Sequence, residues 1–247
     1  MIFPETPYPY ENTQAVLFDL DGTLRYNHPN ANNMLFDYVV SLGALDSPEN
    51  RQRTSRWAHY YWAHSPEIQE DVRVHSASET DFWENYTVRK LQVFGCSETL
   101  ARKLAPAVRE YMSEHYQPQD CILPEAAEVL AALQSQGYVL GLITNRSAPV
   151  DAYLEEIALA SYFELILAAG ELQIFKPDPG IFTFALEKLG INPERTLYVG
   201  DNYYADVVGS QQAGIRPVLY DREGLFNGAD CTTITRLDEL LGVLQPA

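Results

Sequence analysis

Cysteine is scarce in this sequence, whose 247 residues include only Cys96, Cys121 and Cys231. Three widely spaced cysteines predict neither a disulfide framework nor a zinc site, and they favour a reducing compartment. The sequence also lacks an apolar run near the ~20 residues that a membrane-spanning helix requires. Residues 1–14 are rich in Pro and Tyr and lack the basic-then-apolar pattern of a signal peptide. We therefore expect a cytoplasmic protein without a membrane partner.

Positive charge is also in short supply, because 17 Lys and Arg oppose 34 Asp and Glu, for a net charge of -17. Such a surface repels nucleic acids and anionic membranes, so neither is an expected partner. An anionic ligand would need positive charge concentrated in one place. Residues 26–118 hold 9 Lys and Arg against 12 Asp and Glu, so this middle part is much less acidic than the remainder.

The most informative stretch lies near the N-terminus, where four apolar residues at 15–18 predict a short buried strand. Asp19 and Asp21 follow it, and Gly22 ends the strand. Residues i and i+2 of an extended chain point to the same side, so both carboxylates should face one crevice. Close carboxylates repel each other, and a hard cation such as Mg²⁺ would relieve that repulsion. An acidic turn without a ligand is the alternative for this pair alone.

The middle of the chain, residues 26–118, shows helical patterns and no convincing strand alternation. Ser47, Ser78 and Ser97 each have the character of a helix N-cap, and Pro48 suits the first helical position. These residues are predicted to form a separate unit of four or five helices. Four helices are predicted at residues 29–42, 48–64, 79–94 and 98–116.

Strands and helices alternate from residue 124 onward. This spacing indicates right-handed crossovers and a parallel sheet that is covered on both faces, so the predicted fold class is α/β. The predicted strands are 138–143, 163–168, 196–199 and 216–220. The predicted helices are 124–136, 150–158, 179–189, 206–213 and 237–244, and residues 22–27 are expected to form a loop.

Polar residues follow the predicted strands or lie in the loop before the helix at 179–189. Ligands of open parallel sheets bind beyond the carboxyl ends of the strands. Each polar residue alone also fits an ordinary turn, a helix cap or a solvated charge. Their joint occurrence indicates one site, whose candidate members are Asp19, Asp21, Thr144, Asn145, Lys176, Asp201 and Asp206.

These segments together resemble the motifs of the haloacid dehalogenase superfamily. The matching segments are DLDGT at 19–23, ITN at 143–145, KPDP at 176–179, and VGDN at 199–202 followed by Asp206 and by Ala-Gly at 213–214. The resemblance covers most of the chain. It implies a Rossmann-like parallel sheet with helices on both faces, formed by residues 1–25 and 119–247. Residues 26–118 lie where the family inserts an α-helical cap domain.

The resemblance also implies roles for the acidic residues. Asp19 would be the nucleophile that forms an aspartyl-phosphate. Asp21 would be the general acid that protonates the leaving alcohol, and then the base that activates water. Mg²⁺ would be bound by the Asp19 and Asp201 carboxylates and the Asp21 backbone carbonyl. Asp206 is expected to contact the groups that bind the metal, or to bind the metal through a water molecule.

The remaining motif residues would bind the phosphate. By the resemblance, Thr144 and the backbone N–H of Asn145 hold phosphate oxygens, and Lys176 neutralises charge on the phosphoryl group. Residues next to the motifs are further candidates for phosphate or substrate contact, although the two arginines among them also fit a solvated surface. They are Gly22, Arg25 and Arg146.

The second aspartate helps to choose among reactions. By the resemblance, dehalogenases and phosphonate hydrolases carry another residue at the position of Asp21, so Asp21 favours phosphate-ester chemistry. We expect a Mg²⁺-dependent phosphatase that hydrolyses a small phosphorylated metabolite, such as a sugar phosphate, phosphoglycolate or a nucleoside monophosphate, as a monomer or homodimer. A sugar-phosphate mutase shares every one of these motifs and is an alternative. A non-catalytic phosphometabolite-binding protein is another.

One face of the second predicted helix carries a stripe of residues at helical spacing, namely Arg53, Trp57, Tyr60 with Tyr61, and His64. The stripe could stack on a substrate. Packing within the helical unit is the alternative.

Overall fold

The computed structural model describes Tyr10 and residues 12–245 of the chain. Most of the Pro- and Tyr-rich N-terminal segment therefore lies outside the described residues. The chain divides into two compact units, which are described separately. One comprises Met1–Tyr26 with Ile122–Ala247, and the other comprises Asn27–Cys121.

The strands form a six-stranded parallel sheet and a separate two-stranded sheet. In chain order they are β1 (Ala15–Phe18), β2 (Arg25–His28), β3 (Gln119–Ile122), β4 (Val139–Thr144), β5 (Leu165–Ala168), β6 (Thr196–Gly200), β7 (Arg216–Tyr220) and β8 (Thr232–Ile234). The order in the large sheet is β5-β4-β1-β6-β7-β8, and β2 pairs with β3. The four strands predicted after residue 124 and the first strand are confirmed.

Strand β1 lies at the centre of the large sheet, between β4 and β6. All four of its residues are fully buried, which explains why its sequence is apolar on both faces. Phe18 is level with Leu142 of β4 and with Val199 of β6. Because the three strands are parallel, the polar residues that follow them emerge at one edge of the sheet.

The Asn27–Cys121 unit contains five helices among its residues. They are α1 (Ala31–Ser41), α2 (Pro48–Trp62), α3 (Pro66–His75), α4 (Glu79–Phe94) and α5 (Glu98–His115). The predicted N-caps are confirmed, because Ser47, Ser78 and Ser97 accept hydrogen bonds from the first-turn backbone N–H groups of their helices. Helix α3 was not predicted, although Ser65 and Pro66 repeat the Ser-Pro signal that begins α2.

Aromatic rings pack within this helical unit. Phe36 stacks on Phe94 with ring centroids 5.1 Å apart. Tyr61 is fully buried, and Trp57 lies against both Tyr61 and Tyr86 at 5.1 and 5.6 Å. The structure therefore supports the packing alternative for the Trp57 and Tyr61 members of the stripe on α2.

Helices of the other unit cover both faces of the large sheet, as predicted. They are α6 (Ala126–Ser135), α7 (Asp151–Glu156), α8 (Ala169–Leu172), α9 (Pro179–Leu189), α10 (Val208–Gln212) and α11 (Glu239–Leu244). Residues of α6, α7 and α11 share one apolar cluster with the sheet, and residues of α9 share another. Within the described part of the chain, no helix is both long and apolar enough to cross a membrane. All three cysteines are free thiols.

One local prediction was wrong. The loop expected at 22–27 instead contains the start of β2, whose sequence has no apolar alternation and whose pairing with β3 depends on distant residues. The helix expected at 206–213 is confirmed as α10, and a π-helix that was not predicted, Tyr203–Val207, precedes it. The Asn202 side chain caps this π-helix, because it accepts hydrogen bonds from the backbone N–H groups of Tyr204 and Ala205. Strand β8 and the short α8 were not predicted.

Candidate active site

The ends of the three central strands supply the first side chains of the site. Asp19 directly follows β1, and its N–H donates to the carbonyl of Val199 in β6 at 2.9 Å. Thr144 is the last residue of β4, and Asp201 directly follows β6. The sheet order β4-β1-β6 therefore brings residues together that are up to 182 positions apart in the chain.

Lys176 enters this cluster from the loop before α9 and is 2% exposed. Its Nζ donates to Asp19 Oδ1 and to Asp206 Oδ1, both at 2.7 Å, and to the Tyr198 hydroxyl at 2.8 Å. The carbonyl of Ile143 lies 3.1 Å from the same nitrogen. Burial lowers the pKa of Lys176, but the two carboxylates outweigh it and raise that pKa well above its ordinary value. The ammonium is therefore charged at neutral pH.

The side chain of Asn145 holds the Lys176 loop in place. Its Nδ2 donates to the Lys176 carbonyl at 2.9 Å, and its Oδ1 accepts from the Lys176 N–H at 2.8 Å. Asn145 therefore ties the end of β4 to the lysine. The predicted phosphate contact through its backbone N–H stays a prediction, as does that of the buried Thr144 hydroxyl, which accepts from the Arg146 N–H at 3.4 Å.

Three carboxylates lie together, since oxygens of Asp19, Asp201 and Asp206 are all within 4.8 Å of one another. Burial raises the pKa of Asp19 to about 7, against the lowering effect of Lys176. Burial, then the charges of Asp19 and Asp206, raise the pKa of Asp201 well above its ordinary value. One lysine thus faces three crowded carboxylates. This surplus of negative charge on hard oxygen donors fits a divalent cation such as Mg²⁺.

The roles of the three carboxylates differ in one respect. Both oxygens of Asp206 are engaged, one by Lys176 and the other by the Asn202 N–H at 2.9 Å. Asp206 therefore suits the supporting position expected from the sequence. Asp19 and Asp201 are the side chains best suited to bind the cation directly. The carboxylate of Asp21 does not belong to this cluster, so only the backbone carbonyl of Asp21 is a candidate ligand.

Gly22 allows the loop after β1 to approach Asp201 closely. Its φ is +97°, and a Cβ atom at this position would lie 2.2 Å from Asp201 Oδ2. A side chain would therefore be strained by the backbone and would also displace the carboxylate. The geometry gives Gly22 a clear steric role, and its predicted phosphate contact stays a prediction.

Arg25 and Arg146 meet at the carboxylate of Asp21. Arg146 donates through Nε to Oδ2 at 2.8 Å and through NH2 to Oδ1 at 2.7 Å, and Arg25 donates through NH1 to Oδ1 at 2.8 Å. Burial raises the pKa of Asp21, but the hydrogen bonds and charges of the two arginines outweigh it and hold that pKa below its ordinary value. The alternative of two freely solvated arginines is therefore wrong.

A family model described as haloacid dehalogenase-like hydrolase matches residues 13–214. The chain belongs to this family of hydrolases. The resemblance drawn from the sequence motifs is confirmed, and so is the α/β fold that it implied.

Two curated relatives indicate the type of this haloacid dehalogenase-like hydrolase, and one solved structure shares its fold. A phosphoglycolate phosphatase from Shigella boydii is 30% identical over 213 residues, covering 83% of this chain and 80% of that protein. A ribulose-1,5-bisphosphate 5-phosphatase from Halopiger xanaduensis is 30% identical over 212 residues, covering 84% of each. A 2-haloacid dehalogenase structure from Pseudomonas syringae covers 94% of this chain and 98% of its own, with 28% identity and a TM-score of 0.53. The chain is a phosphatase-type hydrolase of the family.

Tyr198 is one residue of this hydrolase's site that the motifs did not reveal. It lies in β6, is fully buried, and donates from its hydroxyl to the Ile143 carbonyl at 3.0 Å while accepting from Lys176. Its sequence signal is a phenolic hydroxyl between the apolar residues Leu197 and Val199, three positions before Asp201. Thr23, the last residue of the DLDGT motif, also contacts the site, because its hydroxyl donates to Asp19 Oδ2 at 3.3 Å.

Proposed function

We propose that this hydrolase cleaves a small phosphomonoester with the help of Mg²⁺, through an aspartyl-phosphate formed on Asp19. The observation that carries the proposal is the buried carboxylate of Asp19, held by Lys176 at 2.7 Å beside Asp201 and Asp206. An anionic nucleophile and a phosphate dianion repel each other unless positive charge lies between them. The bound cation would supply that charge and polarise the phosphoryl oxygens.

The first step forms a bond between an Asp19 oxygen and phosphorus and breaks the bond between phosphorus and the leaving alcohol. Lys176 keeps the nucleophile oriented and offsets charge on the phosphoryl group. Asp21 is the candidate that gives a proton to the leaving oxygen. Thr144 and the Asn145 N–H are the candidates that hold phosphoryl oxygens, since both lie at the end of β4 beside Asp19.

The second step returns the enzyme to its starting state. Asp21 takes a proton from water, the water oxygen bonds to phosphorus, and the bond from phosphorus to Asp19 breaks. Inorganic phosphate leaves, and Asp19 is again a carboxylate. Asp21 thus acts as the acid in the first step and as the base in the second. Asp19 is the nucleophile in the first step and the leaving group in the second.

The helical unit is the part of the chain that we expect to determine substrate specificity. We propose that residues 26–118 act as the family's cap domain and exclude water during the first step, and the compact Asn27–Cys121 unit supports this. The relatives named above act on phosphoglycolate and ribulose-1,5-bisphosphate. These names support a small phosphorylated metabolite, with sugar phosphates, phosphoglycolate and nucleoside monophosphates as candidates.

The test is phosphate release from a panel of phosphomonoesters, with Mg²⁺ and with EDTA. Release that needs Mg²⁺ and is lost in Asp19→Asn would support the proposal, and Asp238→Asn, at an exposed carboxylate, is the matched control. Turnover in EDTA, or turnover that survives Asp19→Asn, would contradict it. Isomerised sugar phosphate without free phosphate would show a mutase instead.

A further inference from the structure

Both carboxylate oxygens of Asp21 are engaged by arginine side chains in this structure. Both carboxylate oxygens accept hydrogen bonds from guanidinium groups at 2.7–2.8 Å, two from Arg146 and one from Arg25. These charge-assisted, partly bidentate bonds are among the strong polar contacts in proteins. To serve as acid and base, Asp21 must leave this pair of arginines.

The three side chains differ in their exposure and in their other contacts. The Arg146 guanidinium lies over the Tyr153 ring at 4.7 Å, and the Arg25 side chain is 10% exposed. The Arg146 side chain is 31% exposed and that of Asp21 is 38% exposed. The carboxylate is thus the most exposed of the three groups, and it is the one whose displacement the exchange requires.

A guanidinium fork that fits a carboxylate of the protein also fits a carboxylate or phosphate of a ligand. Arginine stays charged at every physiological pH, so both guanidinium groups remain cations when Asp21 turns away. We propose that Arg25 and Arg146 bind a second acidic group of the substrate in place of Asp21. The exchange forms and breaks no covalent bond, and it releases Asp21 to turn towards the leaving oxygen.

This proposal rests on the proposed function and narrows its substrate class. The substrates are phosphomonoesters that carry a carboxylate or a second phosphate close to the ester oxygen. A phosphomonoester without a second acidic group would leave Asp21 bound to Arg25 and Arg146 and would be hydrolysed slowly. The two arginines would thereby couple recognition of the substrate to release of the acid.

Matched substrate pairs provide the test. Phosphoglycolate differs from hydroxyethyl phosphate, and phosphoserine from phosphoethanolamine, chiefly in the carboxylate. The kcat/KM of wild type is expected to be about 10- to 100-fold higher for the acidic member of at least one pair. This factor corresponds to the usual free energy of a hydrogen bond to a charged group. Arg146→Gln and Arg25→Gln should each remove most of that preference, mainly by lowering kcat/KM for the acidic member.

Binding measurements test the role of the two arginines independently of whether the protein hydrolyses phosphomonoesters. Calorimetric titration of the same pairs into Asp19→Asn, with and without Arg146→Gln, measures the preference without turnover. Arg236→Gln is the matched control, because Arg236 also binds a carboxylate, that of Asp238, through two nitrogens, but at an exposed position. It should leave activity and preference unchanged.

The outcomes point in different directions. Equal losses for both members of each pair in Arg146→Gln would show that the arginines only position Asp21, and would overturn the proposal. Phosphate release without any preference for the acidic members would also overturn it, while the proposed function would stand. An acidic preference in binding with no release from any phosphomonoester would overturn the proposed function and leave the arginine pair as an anion site.

Discussion

The Nζ of Lys176 lies 2.7 Å from Oδ1 of Asp19, although 157 positions separate the two residues in the chain. The same nitrogen lies 2.7 Å from Oδ1 of Asp206, so one buried ammonium holds two buried carboxylates. Removing one partner of a buried ion pair is costly, because the other charges remain without compensation. The lysine is therefore expected to contribute to both the stability and the chemistry of the site.

Replacement of Lys176 is the first test of this arrangement. Lys176→Gln should lower kcat for phosphate release by about 100- to 1000-fold, the usual loss when one charge-stabilising donor is removed. The free energy of unfolding in EDTA should fall by about 3–5 kcal/mol, because Asp19 and Asp206 lose their counter-charge. Steady-state kinetics and urea denaturation measure the two effects.

Lys188→Gln is the control for this substitution, because Lys188 is an exposed lysine in α9 whose ammonium lies over the Phe184 ring. It should change neither quantity appreciably. Unchanged kcat in Lys176→Gln would show that the lysine does not act on the phosphoryl group.

Tyr198 contacts the lysine through its hydroxyl and through its ring, whose centroid lies 5.3 Å from Nζ, and its hydroxyl is expected to stabilise the lysine. Tyr198→Phe removes the oxygen that accepts from Lys176 and donates to the Ile143 carbonyl, but it keeps the edge contact with Phe182, whose ring centroid lies 4.9 Å away. The free energy of unfolding should fall by about 0.5–1.5 kcal/mol, as for one net hydrogen bond. Urea denaturation of the two proteins measures this, and a gain in stability would contradict it.

Gly22 and Gly43 form a natural pair for testing steric access to Asp201. Their φ values are +97° and +98°, but a Cβ on Gly22 would meet Asp201 Oδ2 at 2.2 Å, whereas nothing lies within 4 Å of one on Gly43. Both alanine variants should lose about 1 kcal/mol of stability from the left-handed backbone. Only Gly22→Ala should weaken Mg²⁺ binding and lower kcat, by more than about tenfold. Equal kcat values for the two variants would contradict the steric role assigned to Gly22.

The stability of the metal-free protein should depend on pH through Asp19 and Asp201. The pKa of Asp19 is raised in the folded state from an ordinary 3.8 to about 7, and that of Asp201 is also raised, so the folded protein binds these protons more tightly than the unfolded chain does. The free energy of unfolding in EDTA should therefore fall as the pH rises from about 4 to 7. Mg²⁺ binds the deprotonated carboxylate, so its stabilising effect should grow over the same interval.

Thermal denaturation at a series of pH values, with EDTA and with Mg²⁺, measures this dependence. Asp19→Asn cannot ionise at this position, so it should lose the part of the decline that Asp19 contributes, while the part from Asp201 remains. A Mg²⁺-induced rise in Tm that is the same at pH 5 and at pH 8 would contradict the assignment of Asp19 to the cation site.

The sequence by itself determined the elements whose signals are local. Four consecutive apolar residues specify β1, because a strand buried on both faces must be apolar throughout. Ser47, Ser78 and Ser97 mark helix starts, because their hydroxyls satisfy the otherwise unpaired N–H groups of the first turn. The motif residues at the strand ends were also predictable, since parallel strands present those ends at one edge of a sheet.

Only the tertiary structure decided which side chains meet. Nothing in the local pattern brings Arg146 to Asp21, 125 positions away, or turns the Tyr198 hydroxyl towards Lys176. The pairing of the polar β2 with β3 has no periodic signal either. Such contacts depend on strand register and on the paths of separate loops, which are set by the packing of the whole unit. Local sequence specifies the elements, and long-range packing specifies the partners of their polar side chains.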